Sequence, residues 1–157
     1  MKRILVPAVL LAMMISGAAH AVMKGSGDVV KVAPVTSAVT AKAGERVEMA
    51  LKLDIATRWH IYAHGDTTFI GVDLVPAEEF PLKEFTAVYP KGHPKEFFGE
   101  MVQMIEGKEK ITASALVPAD LAQGEHDLTL KVTVQACDDK TCLAPAYLPV
   151  SFTLTVE

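Results

Sequence analysis

Apolar and polar residues alternate with a period of two along much of the chain. Arg46–Ile55 is the cleanest run and has one apolar and one polar face. This pattern is typical of a half-buried strand in an antiparallel sheet. Two later runs, 128–134 and 148–156, have the same period and flank a loop, which predicts a β-hairpin. The apolar positions of the three runs are Val47, Met49, Leu51, Leu53, Ile55, Leu128, Leu130, Val132, Val134, Leu148, Val150, Phe152, Leu154 and Val156.

Shorter strands are predicted between turn signals in the rest of the chain. Val29–Thr40 is rich in valine but contains Pro34. Because proline cannot donate to a sheet ladder, an edge strand is expected there. The other predicted strands either alternate or are rich in aromatic and β-branched residues. They are Thr57–Ala63, Thr67–Val75, Leu82–Tyr89 and Lys110–Val117.

The connecting segments contain turn residues, and none has the periodicity of a helix. Val22–Asp28 is small and polar and is expected to be a loose lead-in. Lys95–Gly99, which contains two adjacent phenylalanines, is expected to be a loop. About seven to nine short antiparallel strands without helices predict an all-β fold, an immunoglobulin-like β-sandwich.

The first 21 residues have a different character. Lys2 and Arg3 precede the apolar run Ile4–Ile15, and Ala19–Ala21 has a small-residue cleavage pattern. These three parts predict a secretory signal peptide. An uncleaved N-terminal anchor is the alternative, but the run is shorter than the roughly 20 residues that a membrane span needs. The expected mature product is a single exported, periplasmic domain of residues 22–157.

Charge and composition restrict the partners. The formal net charge is −4, and it becomes more negative when Lys2 and Arg3 leave with the signal peptide. Without a basic patch, a nucleic-acid partner is not expected. No second apolar stretch is long enough to cross a membrane. We therefore expect the mature protein not to span a membrane, and any membrane partner to be a separate chain.

The two cysteines, Cys137 and Cys142, lie in the loop of the predicted C-terminal hairpin. A bridge that closes about six residues adds roughly 2 kcal/mol on chain-entropy grounds, against more than about 4 kcal/mol for one that spans most of a domain. Such a weak staple suggests a redox-active pair, although exported domains also use local structural disulfides. Continuing the strand alternation places Cys137 in phase with Thr133 and Gln135, so both sulfurs are expected near the surface.

A metal site is a weaker interpretation of these residues. Two thiolates make half of a zinc site, and a histidine would have to complete it. His60 and His64 are four residues apart, which aligns ligands on a helix but not on a strand, so they are expected to be at the surface or lightly packed. Met101 and Met104 are soft ligands of the kind that copper prefers, but methionines near a phenylalanine pair more often fill gaps in a core. No metal and no cofactor are expected.

Three segments, in this order, resemble the N-terminal periplasmic domain of the thiol:disulfide interchange protein DsbD. Arg58–Tyr62 resembles the aromatic strand near the active site of that family. Lys95–Gly99 resembles its cap loop, a run of an acidic residue, two aromatic residues and glycine. Val134–Pro145 resembles its active-site hairpin, with a charged spacer between the cysteines and a proline soon after the second. The resemblance covers about Val29–Val156.

The resemblance implies an immunoglobulin-like domain with thiol–disulfide interchange activity. Electrons would come from a membrane-embedded dithiol domain through a thioredoxin-like module. They would pass to thioredoxin-fold periplasmic partners such as disulfide isomerases or the thioredoxins of cytochrome c maturation. Cys142 corresponds to the cysteine that forms the mixed disulfide with partners, and Cys137 to the cysteine that resolves it.

The resemblance also implies a cap over the disulfide. Phe97 corresponds to the residue that covers the disulfide until a partner displaces it. The remaining cap residues are Glu96, Phe98 and Gly99, and the active-site neighbours are Trp59, Tyr62, Asp138 and Asp139. An apolar ring would limit solvation of the sulfurs and raise the pKa of a thiol. The nearby carboxylates, Glu96 among them, would oppose thiolate formation through like charge.

Two departures from the family bear on function. Lys95 stands where the best-known members have an acid, which leaves open whether that position handles protons. The sequence ends at Glu157, directly after the last predicted strand, so a separate membrane thiol reductase is expected as electron donor. The alternative function is an exported immunoglobulin-like adaptor or metallochaperone whose disulfide is purely structural.

Overall fold

The structure is a computed structural model that describes residues 24–157, so the expected signal peptide at residues 1–21 lies outside the described residues. Within this range the chain forms one single-turn helix and eleven strands. The helix is α1 (Ser26–Val29). The strands are β1 (Val30–Pro34), β2 (Ala38–Ala41), β3 (Arg46–Ile55), β4 (Ile61–Tyr62), β5 (Asp73–Pro76), β6 (Lys83–Val88), β7 (His93–Phe97), β8 (Glu100–Ile105), β9 (Lys108–Leu116), β10 (Gly124–Val134) and β11 (Ala146–Val156).

Two four-stranded sheets form the body of the domain. Their strand orders are β1-β3-β9-β6 and β2-β11-β10-β5. All neighbours in these sheets are antiparallel except β2 and β11, which are parallel. A third sheet, in the order β4-β8-β7, is a smaller three-stranded unit beside the sandwich. The Cys137–Cys142 disulfide lies where this small sheet meets the loop between β10 and β11.

The core lies between the two large sheets. It is formed by the apolar faces of the strands whose sequences alternate with a period of two. On β3, all five apolar positions from Val47 to Ile55 are buried, while Arg46, Glu48 and Lys52 are exposed. The inner faces of β9, β10 and β11 alternate in the same way and share one hydrophobic cluster with β3. The predicted all-β, immunoglobulin-like sandwich is confirmed. Within residues 24–157, no helix is long and apolar enough to span a membrane.

The valine-rich segment 29–40 forms two strands instead of one. β1 ends at Pro34 and pairs with β3, whereas β2 pairs with β11 in the other sheet. Residues 35–37 form a bend that takes the chain from one sheet to the other. Both strands lie at sheet edges, as expected from a proline that cannot donate to a ladder.

Three further local predictions need correction. In the predicted strand Thr57–Ala63, only Ile61 and Tyr62 form a strand, because residues 57 and 58 turn. The predicted strand Thr67–Val75 begins only at Asp73, because the Asp66 carboxylate accepts hydrogen bonds from the amides of residues 68 and 69 and holds a turn. Lys95–Gly99 is not a loop: β7 runs to Phe97, and residues 98 and 99 turn directly into β8.

Candidate active site around the Cys137–Cys142 disulfide

Cys137 and Cys142 form a disulfide that closes a short loop beyond the end of β10. The Asp138 amide donates to the Thr141 carbonyl at 2.9 Å. The Asp138 carboxylate accepts from the amides of Lys140 at 2.9 Å and Thr141 at 2.8 Å. These two bonds, that of Lys140 first, lower the pKa of Asp138. An aspartate therefore organises the turn that carries the cysteines.

The two sulfur-bearing residues differ in exposure. Cys137 is 0 % exposed, whereas Cys142 is partly exposed. The expectation that both sulfurs lie near the surface is therefore wrong for Cys137. The alternation of β10 does not continue past the strand, because Ala136 and Cys137 are buried consecutively. Cys137 instead pairs with His60 of the segment before β4.

Cys137 is buried in an apolar cluster formed mainly by side chains of the small sheet. The cluster comprises Tyr62, Phe97, Val102, Met104 and Cys137, with Phe69 and Cys142 partly buried against it. The Tyr62 ring stacks on Phe69 at a centroid distance of 4.4 Å, and Phe97 lies 5.6 Å from Phe69. This cluster is separate from the main core between the two large sheets.

The hairpin of β7 and β8 carries three of the covering side chains, Phe97, Val102 and Met104, and we call it the cap hairpin (93–105). Its two-residue turn has positive φ at Phe98 (50°) and Gly99 (85°), as in a type I′ turn. A phenylalanine rarely adopts this conformation, which favours asparagine or glycine. Phe97 is 6 % exposed and points inward, whereas Phe98 is 67 % exposed and its ring lies 4.4 Å from that of Phe97.

His60 is a buried polar residue at the disulfide. It is only 2 % exposed, so the expectation of a surface or lightly packed histidine is wrong. Its amide donates to the Cys137 carbonyl at 3.0 Å and its carbonyl accepts from the Cys137 amide at 2.9 Å. The imidazole Nε2 is 3.3 Å from the Tyr62 hydroxyl. Burial, and then the positive charge of Lys95, lower the pKa of His60.

A charged groove of about 390 Å³ opens beside the disulfide. His60 forms part of its wall, so the buried imidazole connects the apolar cluster to a polar surface. The other lining residues are charged and of both signs: Arg58, Lys95, Glu106, Asp138, Asp139 and Lys140. Since basic and acidic groups are balanced here, the groove suits a polar partner surface with mixed charge.

Comparison with known proteins identifies the family. A family model described as thiol:disulfide interchange protein DsbD, N-terminal, matches residues 28–153. The chain belongs to the DsbD N-terminal family. Membership places it among proteins of thiol–disulfide interchange. The resemblance carried by the aromatic strand, the cap segment and the cysteine hairpin is thereby confirmed.

The fold is similar to that of a solved periplasmic domain. The N-terminal periplasmic domain of ScsB from Proteus mirabilis matches with 11% sequence identity and a TM-score of 0.58, over 85% of this chain and 49% of that chain. The chain thus spans about half the length of that structure. A family 123 glycoside hydrolase from Clostridium perfringens matches with 9% identity and a TM-score of 0.45, over 80% of this chain and 27% of that chain. No curated protein sequence matches.

The structure brings together only some of the residues that the DsbD N-terminal family resemblance suggested. Phe97 and Tyr62 lie in one cluster with Cys137. Glu96 is exposed and, one position from Phe97 on β7, lies on the opposite face of the strand. Trp59 packs against the main core, with the Lys24 ammonium 5.3 Å from its ring centre.

The other polar and sulfur-containing candidates lie in different places. Asp138 and Asp139 line the charged groove. His64 stacks on Tyr89 at 4.0 Å, away from the disulfide. Met104 is buried in the apolar cluster around Cys137, whereas Met101 is exposed. Among residues 24–157, no group of three or more histidine, cysteine or acidic side chains is arranged to hold a metal ion.

Ser26 is a site residue that sequence reasoning missed. It lies in the expected loose lead-in, which instead forms α1 and packs against the disulfide loop. The Ser26 hydroxyl donates to the Ala144 carbonyl at 2.7 Å and accepts from the Ala136 amide at 2.9 Å. These two partners flank the cysteines, so one buried side chain ties together both ends of the loop. A lone serine in a polar segment gives no sequence signal for this role.

Replacing Ser26 by alanine is expected to lower the free energy of unfolding by about 1–3 kcal/mol, because the buried Ala136 amide loses its acceptor. Chemical denaturation measures this loss, and hydrogen exchange of the Ala136 amide should quicken. Ser37 is an exposed bend residue and makes the matched control; Ser37→Ala should change stability by less than about 0.5 kcal/mol. Equal effects of the two substitutions would contradict the inference that the Ser26 side chain holds together both ends of the disulfide loop.

Proposed function

We propose that this protein is a periplasmic thiol–disulfide carrier. It accepts electrons from a separate membrane thiol reductase and passes them to thioredoxin-fold proteins through Cys137 and Cys142. The observation that carries the proposal is the position of the disulfide. It lies outside the main core, under the cap hairpin, and belongs to a chain of the DsbD N-terminal family. A bond that served only stability would gain little from such a cover.

The difference in exposure supports distinct roles for the two cysteines. Cys142 is partly exposed, so its thiolate attacks a sulfur of the partner disulfide, and one partner cysteine leaves as a thiolate. The product is a mixed disulfide between Cys142 and the partner. The Cys137 thiolate then attacks the Cys142 sulfur, which forms the internal disulfide and releases the second partner cysteine. Two electrons have then moved from the carrier to the partner.

The cap controls which thiols take part. With the cap hairpin closed, Phe97 and Tyr62 keep small thiols from Cys137 and limit solvation of a thiolate. A protein partner that docks at the charged groove would compensate for opening the hairpin with new contacts. Loss of the Phe97 contacts costs free energy, so only a partner with sufficient binding energy opens the site. Exchange is therefore selective for proteins that dock.

The Cys137–Cys142 bond is expected to be reducible by dithiothreitol in the folded protein. Because the bond closes a short loop, its reduction should lower the free energy of unfolding by only about 2 kcal/mol. Thiol titration under native conditions and chemical denaturation of both forms provide the two measurements. A variant with Cys137→Ala and Cys142→Ala serves as the control and should match the reduced protein in stability. A bond that resists reduction until the protein unfolds would refute the carrier and leave a structural disulfide.

A further inference from the structure

We propose that His60 is the general base that deprotonates Cys137 when the mixed disulfide is resolved, and the acid that returns the proton in the reverse step. This inference rests on the proposed function. It adds a third catalytic residue to the two cysteines. The supporting observations are the pairing of His60 with Cys137, the shared aromatic surroundings and the adjoining groove.

The backbone fixes His60 opposite Cys137. The two residues exchange both amide-to-carbonyl hydrogen bonds, at 2.9 and 3.0 Å, and form an antiparallel bridge. Directly opposed residues project their side chains to the same face, with Cβ atoms about 4.5–5.5 Å apart. The imidazole therefore lies on the same side of this bridge as the Cys137 side chain.

Side-chain packing places both groups in one pocket. The His60 ring lies 5.0 Å from the Phe97 ring and 5.4 Å from the Tyr62 ring, both edge-on. Phe97 and Tyr62 also belong to the cluster that buries Cys137. The Tyr62 hydroxyl, 3.3 Å from Nε2, holds the imidazole in orientation. Burial raises the pKa of Tyr62, so this hydroxyl stays protonated at neutral pH.

The buried thiol needs a base because its surroundings disfavour the thiolate. An apolar environment raises the pKa of a cysteine thiol, and Cys137 is fully buried among aromatic and aliphatic side chains. Burial also lowers the pKa of His60, so at neutral pH its imidazole is neutral and able to accept a proton. The titratable and charged groups around His60 are the Tyr62 hydroxyl and the residues that line the groove with it: Arg58, Lys95, Glu106, Asp138, Asp139 and Lys140.

His60 takes the proton from the Cys137 sulfur, and the resulting thiolate donates an electron pair to the Cys142 sulfur. The Cys137–Cys142 bond forms while the bond from Cys142 to the partner breaks, and the partner sulfur leaves with the bonding electrons as a thiolate. The imidazolium then releases its proton to the groove, which opens to solvent.

The test uses the reduced protein and dithiobis(nitrobenzoate), which releases one coloured thiolate when Cys142 is attacked and a second when Cys137 resolves the mixed disulfide. His60→Gln is expected to slow the second release about 100-fold at pH 7, within the usual range for general-base catalysis. The inflection of the second phase below about pH 6.5 should also disappear, since the histidine that titrates there is gone. The first phase should change less than about twofold.

His64→Gln is the matched control, because His64 is four residues away and exposed on another face; both of its phases should equal those of the native chain. An unchanged second phase in folded His60→Gln would overturn the proposal. If that variant does not fold, the NMR pH titration of His60 in the native chain decides. Its pKa must differ between the oxidised and dithiol forms, and equal values would overturn the proposal. A native disulfide that cannot be reduced at all would instead refute the carrier function.

Discussion

Replacing Phe97 by alanine is expected to speed reduction of the Cys137–Cys142 bond by dithiothreitol at least tenfold. Phe97 is 6 % exposed and packs over His60, Tyr62 and Phe69, so its removal opens a path to the sulfurs. Truncating a buried phenylalanine typically costs about 3 kcal/mol, and about 1.4 kcal/mol suffices for a tenfold rise in an open population. Stopped-flow reduction, followed by the appearance of free thiols, measures the rate.

Met101 provides the matched control for this substitution. It lies on the same cap hairpin but is exposed and lies outside the cluster around Cys137. Met101→Ala should therefore leave the reduction rate unchanged within about twofold. Thermal unfolding of both variants would show whether the sandwich remains folded, as expected from a main core that does not include Phe97. Equal reduction rates in Phe97→Ala and the native chain would remove the cap role and leave the cysteine pair untouched.

Cys137→Ala is expected to trap a stable mixed disulfide between Cys142 and a thioredoxin-fold partner. Cys142 is partly exposed and can attack a partner disulfide, but without Cys137 nothing on this chain resolves the product. The measurement is incubation with oxidised thioredoxin-fold proteins, followed by a non-reducing gel and mass spectrometry. The trapped species should persist for hours, since uncatalysed rearrangement of disulfides takes minutes to hours.

Cys142→Ala is the counterpart and should trap little or nothing. The remaining thiol, Cys137, is fully buried under the cap hairpin, and reaction with a large disulfide needs access as well as a thiolate. We expect its reaction with dithiobis(nitrobenzoate) to be at least about tenfold slower than that of Cys142 in Cys137→Ala. The reverse pattern, in which Cys142→Ala traps the partner, would exchange the roles of the two cysteines.

The cap hairpin and the cysteine pair have different proposed roles. In the proposed mechanism, Phe97 controls access to the sulfurs, Cys142 attacks the partner disulfide, and Cys137 with His60 resolves the mixed disulfide. The charged groove is lined by His60 and by the loop residues Asp138, Asp139 and Lys140. A partner that binds there touches the disulfide loop and the cap hairpin together, because Lys95 of β7 lines the same groove. We therefore expect docking at this groove to be coupled to opening of the cap hairpin.

Much of the fold could be predicted because sheet formation leaves a local signature. On β3, β10 and β11 every second side chain of the alternating run enters the core, so the sequence shows a period of two over seven or more residues. Shorter strands gave weaker signals. Residues 57–60 have strand-like composition, yet they turn and extend without pairing as a strand, apart from the bridge of His60 to Cys137. In these segments tertiary contacts decided the conformation, not propensity.

Part of the site could also be predicted, because some of its features are local in the sequence. The closeness of Cys137 and Cys142 along the chain already favoured a disulfide, and the family resemblance pointed to Phe97 as the cap. The approach of His60 and Ser26 to the cysteines depends on contacts between segments that lie far apart in sequence. The Ser26 hydroxyl forms hydrogen bonds with the backbone of Ala136 and Ala144, which are more than a hundred residues away along the chain. A histidine and a serine have no periodicity of their own that could indicate such contacts.

By itself, the sequence determined the sandwich and the local cysteine pair, because alternation of side chains and short separations along the chain act within one segment. The tertiary structure alone decided the exposure of each sulfur. Cys137 is buried because β10 ends at Val134, the chain pairs with His60 and the cap hairpin then covers it. Burial at this point is a property of three segments packed together, and no single one of them encodes it.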